Sequence, residues 1–428
     1  MEDRIMPIEK LCAVGVKLSK LFLMVMAVPF ALLMRILRPV VTIRLGSVDI
    51  GRIGATYRAD WYMAERSAGM HQKGFFDIFY FTQATGFISN HQWCKMWKRV
   101  LRVSPFGMFT HILDKVSRRL PGGEAYVIPK NDVVPIYGKT YRMRETLRHV
   151  LSYKKPSIAF TPEEERLGEE SLRALGIPDG TPFICFHARD AAYLNTVFSQ
   201  KDWSYHGFRD SDIRNYVPAA EKLTQRGYYA LRMGSIATQK LPCENPQIID
   251  YAMNGKRTDF LDVYLGAKCR FFLCSDTGIS VVPEMFRRPV VYVNWVPLLR
   301  VPSFYVLNGI IIPKKLYLRK EQRFLSFGEI IGSGIGSASD REFFENLGIE
   351  LIENTPEEIM LATLEMEERL QGTWEATEED EELQQRFREL FDSYGLKNPG
   401  VRIGANFLRD NKFLLDQDQI HGENIRAR

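Results

Sequence analysis

Short apolar runs alternate with amphipathic segments along most of this chain, and turn residues separate them. The alternation is most regular from residue 181 to residue 294, where apolar runs end repeatedly in polar side chains and segments of helical periodicity follow. This order predicts a mostly parallel sheet with helices on both faces. A second succession of strand, glycine-containing loop and helix begins at residue 40. We therefore expect an α/β protein with two Rossmann-like lobes.

The earlier lobe is predicted to span residues 40–150. The elements expected in it are strands at residues 40–45, 77–82, 126–128 and 133–137, and helices at residues 57–66 and 92–102. A loop with glycines at positions 46, 51 and 54 follows the first strand, but its spacing departs from the dinucleotide-binding fingerprint. Trp93 and Trp97 share one face of the second helix, which favours packing over stacking on nucleic acid.

The later lobe is predicted to span residues 181–340, after a polar linker at residues 151–180. The elements expected in it are strands at residues 183–186, 228–232, 248–250, 270–274 and 289–294, and helices at residues 213–226, 260–268 and 278–286. Its Gly- and Ser-rich end, residues 326–339, is typical of a mobile loop and lacks the Lys-Ser/Thr of a P-loop.

Residues 341–428 are expected to form a helical C-terminal region. Helices are predicted at residues 356–369 and 379–391, and an apolar patch at residues 407–415 is expected to pack back across the lobes.

The most informative stretch is FICFHARDAAYLN, residues 183–195. A buried strand ends there in His187, Arg189 and Asp190, and ligands of open α/β sheets bind beyond the carboxyl ends of the strands. His187 and Asp190 are therefore candidates for acid–base catalysis, and Asp49, in the first glycine loop, is the corresponding carboxylate of the earlier lobe. The alternative interpretation is an ion pair that caps a loop and has no catalytic role.

A second candidate is the turn between strand and helix formed by Ser275, Asp276, Thr277 and Gly278. Backbone amides at the start of a helix, together with hydroxyl groups, favour the binding of a phosphate. Arg189 and Arg232, expected at neighbouring strand ends, would then contact a diphosphate. Glu284, about one turn further on, would accept hydrogen bonds from ribose hydroxyls. A helix cap without a ligand is the alternative.

The most apolar segment precedes both lobes. Residues 21–34, LFLMVMAVPFALLM, carry no charge, and basic residues at positions 17, 20, 35 and 38 flank them. Because a membrane-spanning helix needs about 20 apolar residues, we expect residues 1–39 to form a helix in the inner leaflet, with its basic flanks on acidic head groups. A true span and a buried core helix are the alternatives.

Size, charge and cysteine content narrow the class of protein. A chain of 428 residues is too long for one ordinary core and suits two domains with appendages. The net charge is only +5, but residues 95–155 are rich in Lys and Arg and residues 353–382 are acidic. The basic part fits an anionic ligand or a membrane surface, or a solvated face without a ligand. Six cysteines without a Cys-x-x-Cys pair favour a reducing cytosolic setting and argue against a zinc site.

Several motifs resemble a family of bacterial glycosyltransferases encoded in surface-polysaccharide gene clusters. The resemblance spans about residues 40–415 and is carried by FHARDAAYLN, IRNYVPAAEKLTQRGYYALRMG, RTDFLDVYLGAKCRFFLCSDTGISVVPEMFRRPVVYVN and RIGANFLRDN. The His-x-Arg strand end is more loosely similar to that of the fucosyltransferase-like branch of two-lobed, GT-B-type transferases. The resemblance implies a nucleotide-sugar donor bound by the later lobe, an acceptor bound by the earlier lobe, and no required metal.

The resemblance also implies roles for individual residues. It makes Arg189 the donor-phosphate contact and residues 275–278 the phosphate turn. Members of the family often carry a histidine after the Ile-Gly of the first glycine loop, where this chain has Ala55. The identity of the acceptor-side base is therefore open.

The expected activity is metal-independent, inverting transfer of a sugar from a nucleotide-sugar donor to a lipid-linked or surface-glycan acceptor. It is expected at the cytoplasmic face of the inner membrane. The nucleotide sugar is a substrate, so no cofactor is expected, and nucleic acid is not an expected partner. Two alternatives are a nucleotide-sugar epimerase on the same fold, which would need no acceptor, and a non-catalytic membrane-associated scaffold.

Overall fold

The chain folds into two compact units, Met1–Asp132 and Val133–Arg428. The computed structural model describes residues 8–71, 74–83, 87–128, 133–136, 140–143, 155–197, 199–200, 202–300, 309–393 and 401–416. Both units are of the α/β type, as the alternation of apolar and amphipathic segments predicts.

The first unit is built on a pair of parallel strands, β1 and β2, in which Leu45 lies opposite Ile78. Single parallel bridges add Val127 beside β1 and Val103 beside β2. The elements of this unit are β1 Thr42–Asp49, β2 Phe75–Thr82, and the helices α1 Ile8–Ile36, α2 Tyr57–Ser67, α3 His91–Val100 and α4 Gly107–Arg119. The four predicted elements at residues 40–45, 57–66, 77–82 and 92–102 are confirmed.

The first strand is longer than predicted, because Gly46 continues it instead of opening a loop. A β-carbon at position 46 would lie 2.7 Å from Cδ1 of Ile128, so glycine is needed for close packing within the strand. Asp49 consequently ends β1. The third expected strand, at residues 126–128, is a 3-10 turn followed by the single bridge at Val127.

Helix α1 packs on α4 along one stripe only. Ala27 and Ala31 are buried against Ile112 and Val116 of α4. The Arg35 side chain fixes the end of the helix by donating to the carbonyl oxygen of Ser117 at 3.2 Å. Eleven large apolar side chains between residues 21 and 40 are exposed, so the alternative of a buried core helix does not hold for this segment. No helix within the described residues has both the length and the apolar content of a membrane span.

The second unit is organised around a seven-stranded sheet in which every neighbouring pair is parallel. Its strand order is β14-β10-β9-β8-β5-β6-β7. The strands are β5 Phe183–His187, β6 Tyr229–Arg232, β7 Ile248–Ile249, β8 Phe272–Cys274, β9 Val290–Trp295, β10 Ile310–Pro313 and β14 Arg402–Ile403. The five strands predicted for the later lobe are confirmed, and β10 and β14 extend the sheet.

Two smaller antiparallel sheets belong to the same unit. One has the order β12-β11-β13, and the other pairs β3 with β4. Their strands are β3 Val133–Ile136, β4 Thr140–Met143, β11 Lys315–Leu318, β12 Arg323–Phe324 and β13 Ile349–Ile352. The strand predicted at residues 133–137 is observed at residues 133–136, where it pairs antiparallel with residues 140–143.

Helices surround the large sheet. They are α5 Pro162–Ala174, α6 Ala192–Val197, α7 Val217–Thr224, α8 Asp259–Lys268, α9 Val281–Met285, α10 Phe327–Gly332, α11 Arg341–Asn346, α12 Pro356–Gln371, α13 Glu378–Ser393 and α14 Ala405–Asp410. Helix α5 lies in the range assigned to a linker, where the Thr161 side chain and Glu164 form a capping box. The two C-terminal helices are confirmed by α12 and α13.

The glycine-rich stretch at residues 326–339 was expected to be a mobile loop, and this prediction is wrong. Ser326 and Glu329 form a capping box that starts α10, and Ile330 and Ile335 are buried in the core. The apolar patch at residues 407–415 also joins this core, which is confined to the second unit.

Candidate functional site

The candidate site lies at the carboxyl ends of β5 and β8, which pair up to His187 and Cys274. Parallel strands end at the same edge of a sheet, so the residues that follow each strand meet there. His187, Arg189 and Ser275, predicted separately from two motifs, are brought together by this pairing. Strand β6 flanks β5 on the other side.

His187 is held by a hydrogen bond to the neighbouring strand end. Its Nδ1 lies 2.8 Å from the carbonyl oxygen of Met233. Because a carbonyl oxygen can only accept, Nδ1 must carry the proton, and in the neutral ring Nε2 is the acceptor. Burial lowers the pKa of His187, which favours this neutral form.

Arg189 connects β5 to the turn after β8. Its backbone amide donates to Oγ of Ser275 at 2.9 Å, and the Ser275 side chain is fully buried. The Arg189 guanidinium forms an ion pair with Asp210 and donates to the carbonyl oxygen of His206 at 3.1 Å. Burial lowers the pKa of Arg189, and the nearby charge of Arg209 lowers it further.

Arg209 is a second cation of the site that the sequence motifs did not single out. It is the last residue of a 3-10 turn, Ser204–Arg209, and its guanidinium lies 3.2 Å from Oδ2 of Asp276. Its Nε is buried and has no hydrogen-bond partner among the described residues. A buried N–H without a partner is unusual in a folded protein and is often satisfied by a ligand or by water.

Lys314 is a third cation close to the same residues. Its Nζ donates to the carbonyl oxygen of Asp210 at 2.7 Å and lies 3.9 Å from Oε1 of Glu353. Burial lowers the pKa of Lys314. Lys314 directly follows β10. It therefore lies at the carboxyl end of a parallel strand, where ligands of open α/β sheets bind.

The turn after β8 leads into a short helical segment. Asp276 is buried, and Thr277 accepts a hydrogen bond from Oγ of Ser280 at its carbonyl oxygen, at 2.8 Å. Gly278 begins a 3-10 turn, Gly278–Ser280, which passes into α9. The helix predicted at residues 278–286 is therefore a 3-10 turn and a single α-helical turn.

Two predicted donor-binding residues are engaged in contacts within the protein. The Arg232 guanidinium lies 3.2 Å from Oδ2 of Asp250 and links the ends of β6 and β7. Glu284 is buried and accepts a hydrogen bond from the hydroxyl of Tyr292 at 2.6 Å. These contacts connect Arg232 to the end of β7 and Glu284 to β9, and the direct ligand contacts expected from the sequence stay predictions.

The remaining predicted carboxylates lie in different units. Asp190 is half-buried, and its Oδ1 accepts from the amide of Ala192 at 3.0 Å. Asp49 belongs to the first unit, where it accepts from the amide of Gly51 at 3.0 Å and lies 3.5 Å from the Arg52 guanidinium.

No cluster of three or more His, Cys, Asp or Glu side chains suited to a metal ion occurs among the described residues. The cysteines at positions 94, 185, 243, 269 and 274 are free thiols.

No protein-family model and no curated protein matches the chain. Among solved structures, it aligns with ADP-heptose lipopolysaccharide heptosyltransferase II of E. coli at 12% identity and a TM-score of 0.34, over 63% of this chain and 90% of that one. A family 9 glycosyl transferase from Veillonella parvula aligns at 10% identity and a TM-score of 0.42, over 76% and 96%. The iron-containing dodecameric glycosyltransferase TibC of enterotoxigenic E. coli aligns at 11% identity and a TM-score of 0.28, over 63% and 62%. With TM-scores below 0.5, none of the three decides the fold or activity of this chain.

Proposed function

We propose that the protein transfers a sugar from a nucleotide-sugar donor to a lipid-linked or surface-glycan acceptor. The observation that carries this proposal is the gathering of Arg189, Arg209 and Lys314 around the ends of β5 and β10 and the turn after β8. Three cations at one sheet edge suit a diphosphate, whose oxygens accept charge-assisted hydrogen bonds.

The electrostatics of the cluster support this assignment. The pKa values of Arg189 and Lys314 are both lowered by burial, so an anionic ligand at this edge would favour their charged forms in addition to the carboxylates already beside them. A pyrophosphate group would stabilise both charges and would give the buried Nε of Arg209 an acceptor.

The same groups suit the departure of a nucleoside diphosphate. Arg189 and Arg209 would stabilise the negative charge that develops on the leaving group. His187, neutral and with Nε2 as acceptor, would take a proton or a hydrogen bond from a hydroxyl group, and Asp190 would stabilise its protonated form. Because protein cations would take the place of a metal at the leaving group, we propose a metal-independent reaction on a GT-B-type fold. We also propose that the displacement inverts the configuration at the sugar carbon. Asp49 is the proposed carboxylate on the acceptor side.

The family resemblance supports the same assignment, because Arg189 and the turn at residues 275–278 lie within its motifs. We place the protein at the cytoplasmic face of the inner membrane. The exposed apolar side chains of α1 suit the interfacial region of a bilayer, and the basic charge of the first unit suits its anionic head groups.

A panel of nucleotide sugars tests the proposal with two matched variants. Arg209→Ala removes a cation of the site, while Arg214→Ala removes an exposed arginine from the same stretch, which pairs with Asp212. We expect one nucleotide class to bind the native protein, and Arg209→Ala to weaken this binding by about 10- to 100-fold. Arg214→Ala should leave it unchanged. Absence of binding, transfer and donor hydrolysis across the panel would contradict the proposal. Formation of an epimerised sugar without an acceptor would identify an epimerase.

A further inference from the structure

The first unit contains an apolar groove of about 240 Å³ that the donor site does not use. Helices α1 and α4 form its walls, and one face of β1 and β2 forms its floor. The side chains that define it are Phe30, Leu33, Phe109, Leu113, Leu45 and Ile78. Phe30 and Leu33 are also partly exposed, so the groove is open to the apolar surface of α1.

The groove offers few polar groups to a ligand. The hydroxyls within it belong to Ser104 and Thr110, which hydrogen-bond to each other at 2.6 Å. An apolar cavity of about 150 Å³ already suffices to bind a benzene-sized molecule and to stay free of water. The chemistry of the lining therefore selects a hydrocarbon.

The face of the sheet that floors the groove becomes polar toward the carboxyl ends of its strands. Leu45 and Asp49 lie on the same face of β1, about 13 Å apart at the rise of an extended strand. On β2, Tyr80 follows Ile78 on this face and donates to Oδ2 of Asp114 at 2.7 Å. Nδ1 of His111 lies 3.4 Å from the Tyr80 hydroxyl. A ligand that follows this face would thus be apolar at one end and polar at the other.

The carboxylates at that polar end are paired with arginines, Asp49 with Arg52 at 3.5 Å and Asp114 with Arg118 at 2.9 Å, so the charge of the whole unit determines which head group is favoured. Residues 1–132 carry 19 Lys and Arg against 10 Asp and Glu, a formal charge of +9. The rest of the chain carries 38 against 42, a charge of −4. The positive potential of this unit favours an anionic head group.

We propose that the groove binds the hydrocarbon chain of a phosphate-bearing lipid, namely the prenyl or acyl chain of the lipid-linked acceptor. The chain lies between α1 and α4, and the phosphate-bearing head lies toward the carboxyl ends of β1 and β2. Naming this lipid the acceptor rests on the proposed function, whereas the lipid site itself rests on the groove.

Two neighbouring leucines of α1 give a matched pair of variants. Leu32 and Leu33 are 47% and 48% exposed, but only Leu33 lines the groove. Leu33→Trp fills the groove, and Leu32→Trp makes the same change outside it. Should Leu33→Trp fail to fold by circular dichroism, Leu37→Trp in the lining and Ile36→Trp outside it replace the pair.

The probe is farnesyl monophosphate below its micelle concentration, titrated into the full-length protein in a calorimeter. We expect one saturable site, a loss of affinity of about tenfold or more in Leu33→Trp, and a change under about twofold in Leu32→Trp. In a series of alkyl phosphates, affinity should rise about three- to fourfold per methylene until the groove is full. Equal effects of the two variants, or many weak sites per chain, would overturn the proposal.

Two further measurements are needed. Vesicle binding distinguishes a bilayer lipid from the lipid-linked acceptor, and nucleotide-sugar binding distinguishes failure of the groove proposal from failure of the proposed function. Vesicles of phosphatidylglycerol and phosphatidylethanolamine should bind both variants equally; selective loss with Leu33→Trp would identify a bilayer lipid as the occupant and overturn the acceptor assignment. Nucleotide-sugar binding should be unaffected by either substitution. Nucleotide-sugar binding without farnesyl phosphate binding would overturn the groove proposal alone, and the reverse would overturn the proposed transferase alone.

Discussion

The backbone amide of Arg189 donates to Oγ of Ser275 at 2.9 Å, which ties the end of β5 to the end of β8. The strands themselves pair only as far as His187 and Cys274. This hydrogen bond therefore continues the connection beyond the sheet. It fixes the segment that carries the Arg189 guanidinium next to the turn that carries Asp276.

Replacement of Ser275 by alanine tests this connection. The substitution leaves the buried Arg189 amide without its acceptor, so we expect the free energy of unfolding to fall by about 1–3 kcal/mol. Ser171→Ala, at a partly exposed serine of α5, should change it by less than about 0.5 kcal/mol. Urea unfolding measures both values. Unchanged stability of Ser275→Ala would mean that the amide finds another partner and that the bond does not position Arg189.

His187 should make stability depend on pH in a defined direction. Its folded pKa lies below the unfolded value of about 6.5, because burial disfavours the charged ring. The folded protein therefore binds fewer protons, and stability from this group is full above the unfolded pKa and is lost as the pH falls from there toward the folded pKa. His187→Gln should flatten the decline in unfolding free energy below about pH 6.5. Identical slopes for the two proteins would contradict the lowered pKa.

Nitrogen-15 NMR of the same histidine tests its tautomer directly. The hydrogen bond to Met233 requires the proton on Nδ1, so the neutral ring should show a protonated Nδ1 and an unprotonated Nε2 at neutral pH. The opposite tautomer would remove the acceptor that the proposed mechanism uses.

The sequence predicted those site residues that directly follow an apolar strand, because a strand can be recognised from the local pattern of apolar residues. His187, Arg189 and Ser275 each follow an apolar strand, and parallel pairing of these strands brings them to one edge. Arg209 comes instead from a 3-10 turn, whose residues have no periodicity that would place them beside β5. Lys314 did follow a strand and could have been found by the same rule.

Another expectation failed because its outcome depends on contacts between distant residues. Glycine content alone suggested a loop at residues 326–339. The buried isoleucines and the Ser326 cap instead stabilise a helix there. The contacts of Arg232 with Asp250 and of Glu284 with Tyr292 likewise depend on residues from other strands, and the predicted donor-binding roles of Arg232 and Glu284 stay predictions.

The exposed face of α1 should bind anionic vesicles, and charged substitutions on it should prevent this. Phe22 and Val25 are 64% and 63% exposed and lie outside the groove. Phe22→Glu combined with Val25→Glu should release the protein from phosphatidylglycerol vesicles, because charge in the bilayer interface is unfavourable. Leu167→Glu with Met253→Glu, at exposed apolar residues of the second unit, should not.

Substitution is a better test of this surface than deletion of residues 1–38. Deletion would also uncover the side chains of Ile112 and Val116, which α1 buries, and would remove the Arg35 hydrogen bond to α4. Unchanged vesicle binding of the doubly substituted α1 would contradict membrane association through this helix.

The buried pair of Arg44 and Asp77 should stabilise the first unit in a pH-dependent way. These residues lie opposite each other in β1 and β2, and Nε of Arg44 lies 2.7 Å from Oδ1 of Asp77. The hydroxyl of Tyr62 donates to Oδ2 of the same carboxylate at 2.7 Å. Burial acts to raise the pKa of Asp77, but the hydrogen bonds from Arg44 and Tyr62 outweigh it, so the pKa is lowered.

A lowered carboxylate pKa gives stability that is present above the unfolded value of about 3.9 and is lost as the pH falls through the folded pKa. Asp77→Asn leaves the Arg44 charge buried without its counter-ion, so we expect a loss of about 3–5 kcal/mol at neutral pH. The difference from the native protein should shrink below about pH 3.9, because the unfolded chain takes up a proton there that the folded Asp77 carboxylate binds only at lower pH. Asp179→Asn, in an exposed pair with Arg173, should cost less than about 1 kcal/mol. Urea unfolding of the three proteins across this pH range measures these free energies of unfolding. If the difference between Asp77→Asn and the native protein stays constant with pH, the ionised carboxylate is not what stabilises the pair.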